Sequence, residues 1–546
     1  MENDTNNNAS GYGATAEGID TSAIGMASHT EGYQTNSLAT SAHAEGSFSN
    51  ASGSAAHAEG YQTQATEESS HAEGNASIAA GIASHAEGFL TIAGGRAAHV
   101  EGLQNNAGGE GAHAEGANSS ASGNAAHAEG VGAAASGISS HAEGTFTTAL
   151  GDASHAEGHL TVAAEIGAHA EGNSTTASGL FSHAEGNATV ASGPSSHAEG
   201  LQTVASGEYA HAQGLKTIAS GNYAHAEGWV SIASNRYTHA EGTGTKASGV
   251  GSHAEGAFTE ASGVDAHSEG FSTKASANAA HAEGSFSVAS GNYSHAEGRN
   301  TTAASTACHA EGQGTTVLAE HNFSHIMGRY GQTLYPISWH LANGDVVGGV
   351  PGLAAVLEGA TGNLYIDGTV MSPAADYAEM FETVDGLPLE PGYFVTLEED
   401  KIRKVTTEDD YVLGIVSGRS SVVGGAHHLN WQGKYVTDEW GRIKYEEVPM
   451  LDGKDEQGDT VIGTTIKAAV INSDFDASRS YVPRIERPEW VTVGLIGKLL
   501  VRDDGTCVKN GYCRPNRDGI ATAASSGYRV VKRTGSNQIL IIFVIK

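Results

Sequence analysis

Three cysteines in 546 residues, Cys308, Cys507 and Cys513, form no CxxC pair and no even-numbered framework. Neither a zinc site nor a disulfide scaffold is therefore indicated. Basic residues are also scarce: 28 Lys and Arg stand against 62 Asp and Glu, a formal net charge of −34. Phosphate binding needs clustered cations, so nucleic acid is excluded as a partner, and an anionic membrane surface would repel the chain. Long apolar runs are missing. The strongest, ILIIFVI at 539–545, is too short to cross a bilayer, so no membrane insertion is expected. The opening MENDTNNNASGYGATAEG has no apolar centre and does not read as a signal peptide. A soluble chain is expected, or one that leaves its cell without the secretory route. Proline is scarce and uneven: Pro194 alone precedes residue 328, and nine prolines follow it. That asymmetry divides the chain in two.

The first part is one repeat. Histidine recurs every fourteen residues from His29 to His309, and seventeen of these twenty-one sites read HAEG. The others read HTEG, HVEG, HAQG and HSEG. A degenerate unit precedes them at Thr15-Ala16-Glu17-Gly18, and HIMG follows out of phase at His325. With His as position 0, the unit is H-A-E-G-x-x-T-x-A-S-G-x-x-A/S. Small residues hold positions 1, 3, 8, 10 and 13, whereas 4, 5, 7, 11 and 12 vary. An unbroken phase of this kind marks a stacked solenoid. Helix is excluded by two glycine positions per unit and by the absence of a 3.6-residue apolar stripe. H-A-E-G and T-x-A-S-G read instead as two short strands joined by turns. On the first, His and Glu share the outer face, and Ala and Gly are expected inside the coil. About twenty-two coils at roughly 4.8 Å make a rod of about 100 Å. A coil filled with alanine buries little apolar surface, so several chains side by side are expected, most simply three.

The repeats at 15–312 resemble the heads of trimeric autotransporter adhesins and haemagglutinins, a left-handed parallel β-roll of fourteen-residue coils. H-A-E-G stands here where that family has S-V-A-I-G, so His and Glu replace two apolar residues that help to join its subunits. Stacked carboxylates about 4.8 Å apart repel by roughly 1 kcal/mol per neighbour in water, so each Glu needs a partner. The His two residues away, or one on a neighbouring chain, is the expected donor. An interface ladder is the favoured reading of the pair. A solvated face, a metal array and a pH sensor rank below it, and two ligands per unit fall short of the three or four that zinc takes. Attraction within the pair is expected to raise the His pKa values and lower those of Glu.

Beyond residue 328 the phase vanishes. LANGDVVGGV and ATGNLYIDGTV read as two hairpins with Asn-Gly and Asp-Gly turns. Strand-like runs follow: GYFVTL, DYVLGIVSG, TTIKAAVINS, WVTVGLIGKLLVRDDG and QILIIFVIK. Several phrases, DYAEMFE (376–382), GYFVTLEEDKIRK (392–404), DYVLGIVSG (410–418), LNWQGKYVTDEWGR (429–442), RPEWVTVGLIGKLLVRDDGTC (487–507) and DGIAT (518–522), are similar to one family. It is the autoproteolytic intramolecular-chaperone domain of phage neck-appendage and tail-fibre proteins, of glutamic-peptidase type. The resemblance implies a domain that trimerises, helps the fibre ahead of it to assemble and then cuts itself off. It implies cleavage before the Asp of a D-x-x-E motif, at Ala375–Asp376, with Glu379 as the essential acid. It also implies that the fibre belongs to a virion or a prophage-derived particle.

Independently, Asp376 and Glu379 lie close enough in a turn for two carboxylates to hold different protonation states. One would act as base or nucleophile and the other as acid. The plain alternative is an acidic turn facing solvent. Ser372 is a weaker nucleophile candidate, and His427 and His428 read as surface residues. The acidic loop DGKDEQGD (452–459) lacks the calcium-loop pattern, since Lys454 takes a ligand place.

The expected protein is all-β. Residues 1–14 form a short leading segment, 15–328 a β-roll shaft, 329–375 a hairpin connector and 376–546 a compact, mostly β self-cleaving domain. The expected function is that of a homotrimeric phage tail-fibre or appendage protein, made in the host cytoplasm and carried on the virion. Its partners would be tail or neck proteins and a host surface glycan or protein. Any enzyme activity would be one intramolecular cut, without metal or cofactor. The rival is an uncut adhesin on a bacterial cell or spore surface that keeps its C-terminal tip. A glycan-degrading tailspike ranks last, because the repeats offer no carboxylate pair in an aromatic groove.

Overall fold

The computed structural model describes residues 6–427, 433–454 and 460–545. It contains two compact units, Met1–Asp367 and Gly368–Lys546. Among the described residues there is no α-helix, only a three-residue 3-10 turn at Arg484–Glu486. None is part of a helix long and apolar enough to cross a membrane. The chain is all-β, as its sequence pattern predicts.

The first unit is a parallel β-solenoid. A coil such as that starting at His183 has a five-residue strand, His183–Asn187, and a two-residue strand, Val190–Ala191. Each residue pairs with its equivalent one coil on: His183 with His197, Ala184 with Ala198, Glu185 with Glu199 and Gly186 with Gly200. Between the strands lie two corners seven residues apart, at positions 5 and 12. Both are left-handed, at φ 55° for Ala188 and 53° for Ser195. Each corner is tied to the preceding coil, Ala188 N–H to Asn173 O (2.8 Å) and Ser195 N–H to Leu180 O (2.7 Å). These positions vary freely in sequence because their backbone, not their side chain, closes the coil. Pro194 stands at position 11, between the donating N–H groups of Gly193 and Ser195.

The interior is narrow. Ala184, Ala191 and Thr189 are fully buried, and Ser196 is 1% exposed. Position 6, the T of the repeat, to which the sequence pattern gave no face, is thus a buried column of mostly Ser and Thr. Some of its hydroxyls bond within the coil stack, as in Thr63 Oγ1 to Ser49 Oγ (2.8 Å) and Ser49 Oγ to Gly60 O (3.1 Å), whereas others, Thr189 among them, have no partner within the chain. Cys308 occupies position 13, where its buried thiol donates to Ser305 O. The glycine of HAEG departs from expectation. Gly186 is exposed rather than inside, at φ +108°, and a Cβ there would lie 2.3 Å from Gly200 O. The strand ends in a turn that brings the Gly column backbone to backbone, so smallness here serves close approach and not interior filling.

The stack survives its break in period. Sixteen residues separate His309 from His325, yet His309 pairs with His325 and Ala310 with Ile326. Ser338–Asn343 adds one more parallel strand, and Leu353–Glu358 then pairs with it antiparallel. Leu353–Glu358 also pairs antiparallel with Leu364–Ile366, and that second hairpin turns at 359–363, around Gly362 (φ +76°), rather than at Asp367-Gly368. Buried His340 secures the end. Its Nε2 accepts N–H bonds from Leu334 (3.0 Å) and Tyr335 (3.3 Å), while Nδ1 lies 3.1 Å from His325 O.

The second unit is built on a ten-stranded sheet. Its longest strand, Trp490–Arg502, pairs antiparallel with Asp376–Glu382, Gly414–Val416 and Gln538–Val544. Val422–Gly424 runs parallel to Asp376–Glu382 on the other side. Phe394, Ile415, Leu499, Ile539, Ile541 and Phe543 form a core of larger side chains than the shaft holds. Cys507 and Cys513 are buried in it, and burial pushes their thiols up to about 11 and about 12.

A Gly186→Ala change forces a side chain into the next coil's carbonyl at a left-handed φ. It should destabilise the shaft by roughly 1–3 kcal/mol. Ala188→Gly, two residues away at a corner, should shift it by less than about 1 kcal/mol. Thermal melting of the two variants against wild type checks the contrast.

Candidate active site and the histidine–glutamate ladder

Asp376 opens a strand, and the strand fixes which way its neighbours point. Burial alternates along it, with Asp376, Ala378 and Met380 buried and Tyr377 exposed. The Tyr377 hydroxyl donates to Glu379 Oε1 at 3.1 Å, so Tyr377 and Glu379 share the outer face. That bond and the carboxylate charge raise the pKa of the Tyr377 phenol. Asp376 and Glu379, three apart on a strand, thus face opposite ways, and one chain does not bring the two carboxylates together. The pairing pictured from the spacing presupposed a turn.

Around Ala375–Asp376 three successive carbonyls are held. Ser421 Oγ donates to Ala374 O (2.5 Å), Lys498 N–H to Ala375 O (3.2 Å) and Ser421 N–H to Asp376 O (2.9 Å). The Asp376 carboxylate is 3% exposed and accepts from Ser420 Oγ at 3.1 Å, with Ser417 Oγ another 3.1 Å beyond. This peptide borders a cavity of about 880 Å³ whose charged lining, besides Asp376, is Glu390, Arg419, Lys498, Arg502 and Lys532. Sequence reasoning missed Ser417, Ser420, Ser421 and the Lys498 N–H. The only local signal was a serine-rich turn, SGRSS, straight after the apolar strand DYVLGIV. Ser372 is exposed, and its Oγ accepts the Ala374 N–H at 3.2 Å. His427 is exposed, and burial of its ring, then Arg484 and Arg487, lowers its pKa. His428, residues 429–432 of the LNWQGKY phrase and 455–459 of the acidic loop lie outside the described residues.

The shaft carries the second cluster. Histidine rings from His29 to His325 stack at 4.5–4.9 Å. From His43 to His267, Nε2 lies 3.4–4.0 Å from the Glu of its own coil in fourteen pairs, including His43–Glu45, His225–Glu227 and His267–Glu269. Towards the end the partner changes to the preceding coil, as in His295–Glu283 and His309–Glu297, both 3.4 Å. Every one of these Nε2 atoms is buried without a hydrogen-bond partner within the chain. Groups such as His43, Glu45 and His57 bring candidate ligand atoms within 4.8 Å of one another. Parallel rings, however, hold their in-plane lone pairs parallel, so two stacked imidazoles do not converge on one ion.

Where a histidine of the column shifts, the direction is opposite to that expected: His281 and His253 are lowered, by burial first and then by the histidines above and below. Glu87 is pushed up to about 6 by hydrogen bonds shared with Glu73 and Glu101. Glu115 is pushed up to about 7 by the bond shared with Glu101, which is itself lowered. The expectation counted the unlike partner alone. In a register that stacks like on like, each group also meets two of its own kind, and the carboxyls answer by sharing protons. Gln213 is a natural break in the column, its amide donating to Glu199 Oε1 at 3.1 Å.

Residues 340–538 match the Peptidase_G2, IMC autoproteolytic cleavage domain family. A pre-neck appendage protein of Bacillus phage B103 is 41% identical over 153 residues, 28% of this chain and 16% of that protein. The putative phage-related protein YobO of Bacillus subtilis strain 168 is 34% identical over 194 residues, 35% of this chain and 23% of that protein. The solved C-terminal fragment of bacteriophage phi29 gene product 12 is 34% identical, covering 31% of this chain and 100% of that one, with a TM-score of 0.26. The chain spans 16–23% of the length of these two curated relatives.

A carboxyl whose pKa rises on folding favours the folded state most when protonated. The Glu115 share of stability is therefore present near pH 4.5 and lost as pH rises through about 7. The histidines are lowered, so their share is present above 6.5 and lost as pH falls through their folded values. Glu115→Gln should raise the melting temperature at pH 8 and leave it nearly unchanged at pH 5. Melts at the two pH values read the difference.

Proposed function

Because residues 340–538 belong to the Peptidase_G2, IMC autoproteolytic cleavage domain family, we propose that this chain is a virion-borne phage appendage or tail-fibre protein that cuts itself at Ala375–Asp376. The shaft at 15–328 and connector at 329–375 are the lasting fibre, and 376–546 is an assembly domain released by the cut. The observation that carries this reading is the grip on the 374–376 carbonyls beside a buried Asp376. The Lys498 bond continues the antiparallel pairing of Asp376 with Gly497, the Ser421 bonds come from the turn beside it, and the held bond is the one the sequence resemblance implies is cut.

The reaction is hydrolysis, once per chain. The Asp376 carboxylate takes a proton from water as the water oxygen adds to the Ala375 carbonyl carbon. Negative charge developing on Ala375 O meets the Lys498 N–H already bonded there. The carbon–nitrogen bond then breaks, and the Asp376 nitrogen leaves with a proton. Glu379 is the proposed donor of that proton. It faces away from its own Ala375–Asp376 bond, so in this reading the acid comes from a neighbouring copy within a homotrimer.

The shaft supports the same assembly. Its buried, unpartnered Nε2 column and its narrow alanine interior both call for neighbouring chains, most simply two. The protein would be made in the host cytoplasm and carried on the particle with tail or neck proteins. A host glycan or protein is the proposed target of the fibre.

Intact mass of the fresh and incubated chain tests the cut. A wild-type fragment beginning at Asp376, absent from Asp376→Asn and Glu379→Ala, is the expected result. An uncut wild-type chain would instead leave an adhesin fibre with a permanent tip. Co-expression of Glu379→Ala with Asp376→Asn chains should restore cutting of the Glu379→Ala chain, since its partner supplies the acid. Failure of that rescue, with wild type cutting normally, removes the neighbour's acid from the mechanism.

A further inference from the structure

Between the Gly414–Val416 and Val422–Gly424 strands runs the turn Ser417-Gly418-Arg419-Ser420-Ser421. No motif marks it, yet it supplies the side-chain hydrogen bonds to the Ala374 carbonyl and to the Asp376 carboxylate described above. We infer that Ser420 is the positioning residue that holds the Asp376 carboxylate towards the Ala375–Asp376 bond, with Ser417 behind it and Ser421 holding the bond's flanks. The inference rests on the proposed cut and goes on to name what aims it.

The argument is one of geometry and satisfaction. Asp376 is 3% exposed, and a buried carboxylate without a donor is costly. The side-chain donor it has is the Ser420 hydroxyl, 3.1 Å from Oδ2. Ser420 is oriented in turn by Ser417 Oγ at 3.1 Å, and Ser417 is anchored by its own N–H on Thr492 O at 2.8 Å. The chain of contacts runs from the Trp490–Arg502 strand through two hydroxyls to the carboxylate. Ser421 works separately, its hydroxyl on Ala374 O and its N–H on Asp376 O. One turn therefore holds both the carboxylate and the carbonyls that flank the bond. The serine hydroxyl fixes Oδ2, one of the two carboxylate oxygens.

The two serines are separable by experiment. The rate of appearance of the Asp376-initiated fragment is followed from pH 4 to 9 in the full chain. Ser420→Ala should slow cutting by about tenfold to a hundredfold, the size of a lost bond to a charged group. It should also move the acid limb of the profile to higher pH, because the hydroxyl favours the ionised carboxylate. Other charges on the same cavity, Glu390, Arg419, Lys498, Arg502 and Lys532, are unchanged in this variant. Ser420→Thr keeps the hydroxyl and should keep the wild-type limb. Ser421→Ala should slow cutting with the limb unmoved.

Melting temperature confirms that each variant is folded, and Ser420→Cys, of similar volume with a weaker donor, serves where Ser420→Ala does not fold. A wild-type acid limb and rate in either folded variant overturns the inference and leaves the cut standing. A wild-type chain that stays whole at every pH overturns both.

Discussion

The hydrogen-bond ladder between coils, which places every residue upon its equivalent fourteen positions on, is the constraint from which the rest of the shaft follows. It sets a spacing near 4.7 Å between like side chains, as the histidine rings show. At that spacing a column must be something that tolerates itself. Alanine and threonine do so by filling a narrow interior, histidine by stacking its rings, and glycine by letting two backbones touch. Glutamate does not do so freely. Its column is relieved by shared protons, by a histidine column alongside and, at Gln213, by an amide in place of an acid.

The same ladder explains where the sequence varies. Corners at positions 5 and 12 are closed by backbone N–H groups, so Phe, Tyr, Gln, Lys and Ser all serve there. The stacked Tyr209, Tyr223 and Tyr237 are one local outcome of that freedom. A fibre of this kind can change its outer surface along its length without changing its fold. The break in period at 318–324 is absorbed in the same way: Thr302 and Ala303 still pair with Thr316 and Val317, and His309 pairs with His325 once two extra residues are looped out.

The C-terminal unit obeys a different logic. Its stability comes from a core of Phe, Ile, Leu and Val on a mixed sheet, not from identical columns. Within it the Ala375–Asp376 peptide is gripped from the Trp490–Arg502 strand and from the Ser417–Ser421 turn, segments far apart in sequence. For the proposed cut that arrangement makes folding come first: until both segments are in place, neither the carbonyls nor the carboxylate has its donors.

How much of this was legible in the sequence depends on the range of the interactions. The fourteen-residue period, the paired short strands, the alanine interior and the change of grammar after residue 328 are all local or periodic. Composition and spacing therefore determined them, down to HAEG as one rung of a stack. Position 6 as an interior column, the exposed glycine and the reversed pKa directions escaped, because each is set by the coil above or below. Asp376 and Glu379 could be singled out from D-x-x-E and its resemblance, but not their opposite faces, since a spacing of three means one thing in a turn and another on a strand. Ser420 and Ser421 were invisible for a plainer reason. They stand 44 or more positions from the residues they hold, and only the closed sheet brings them there.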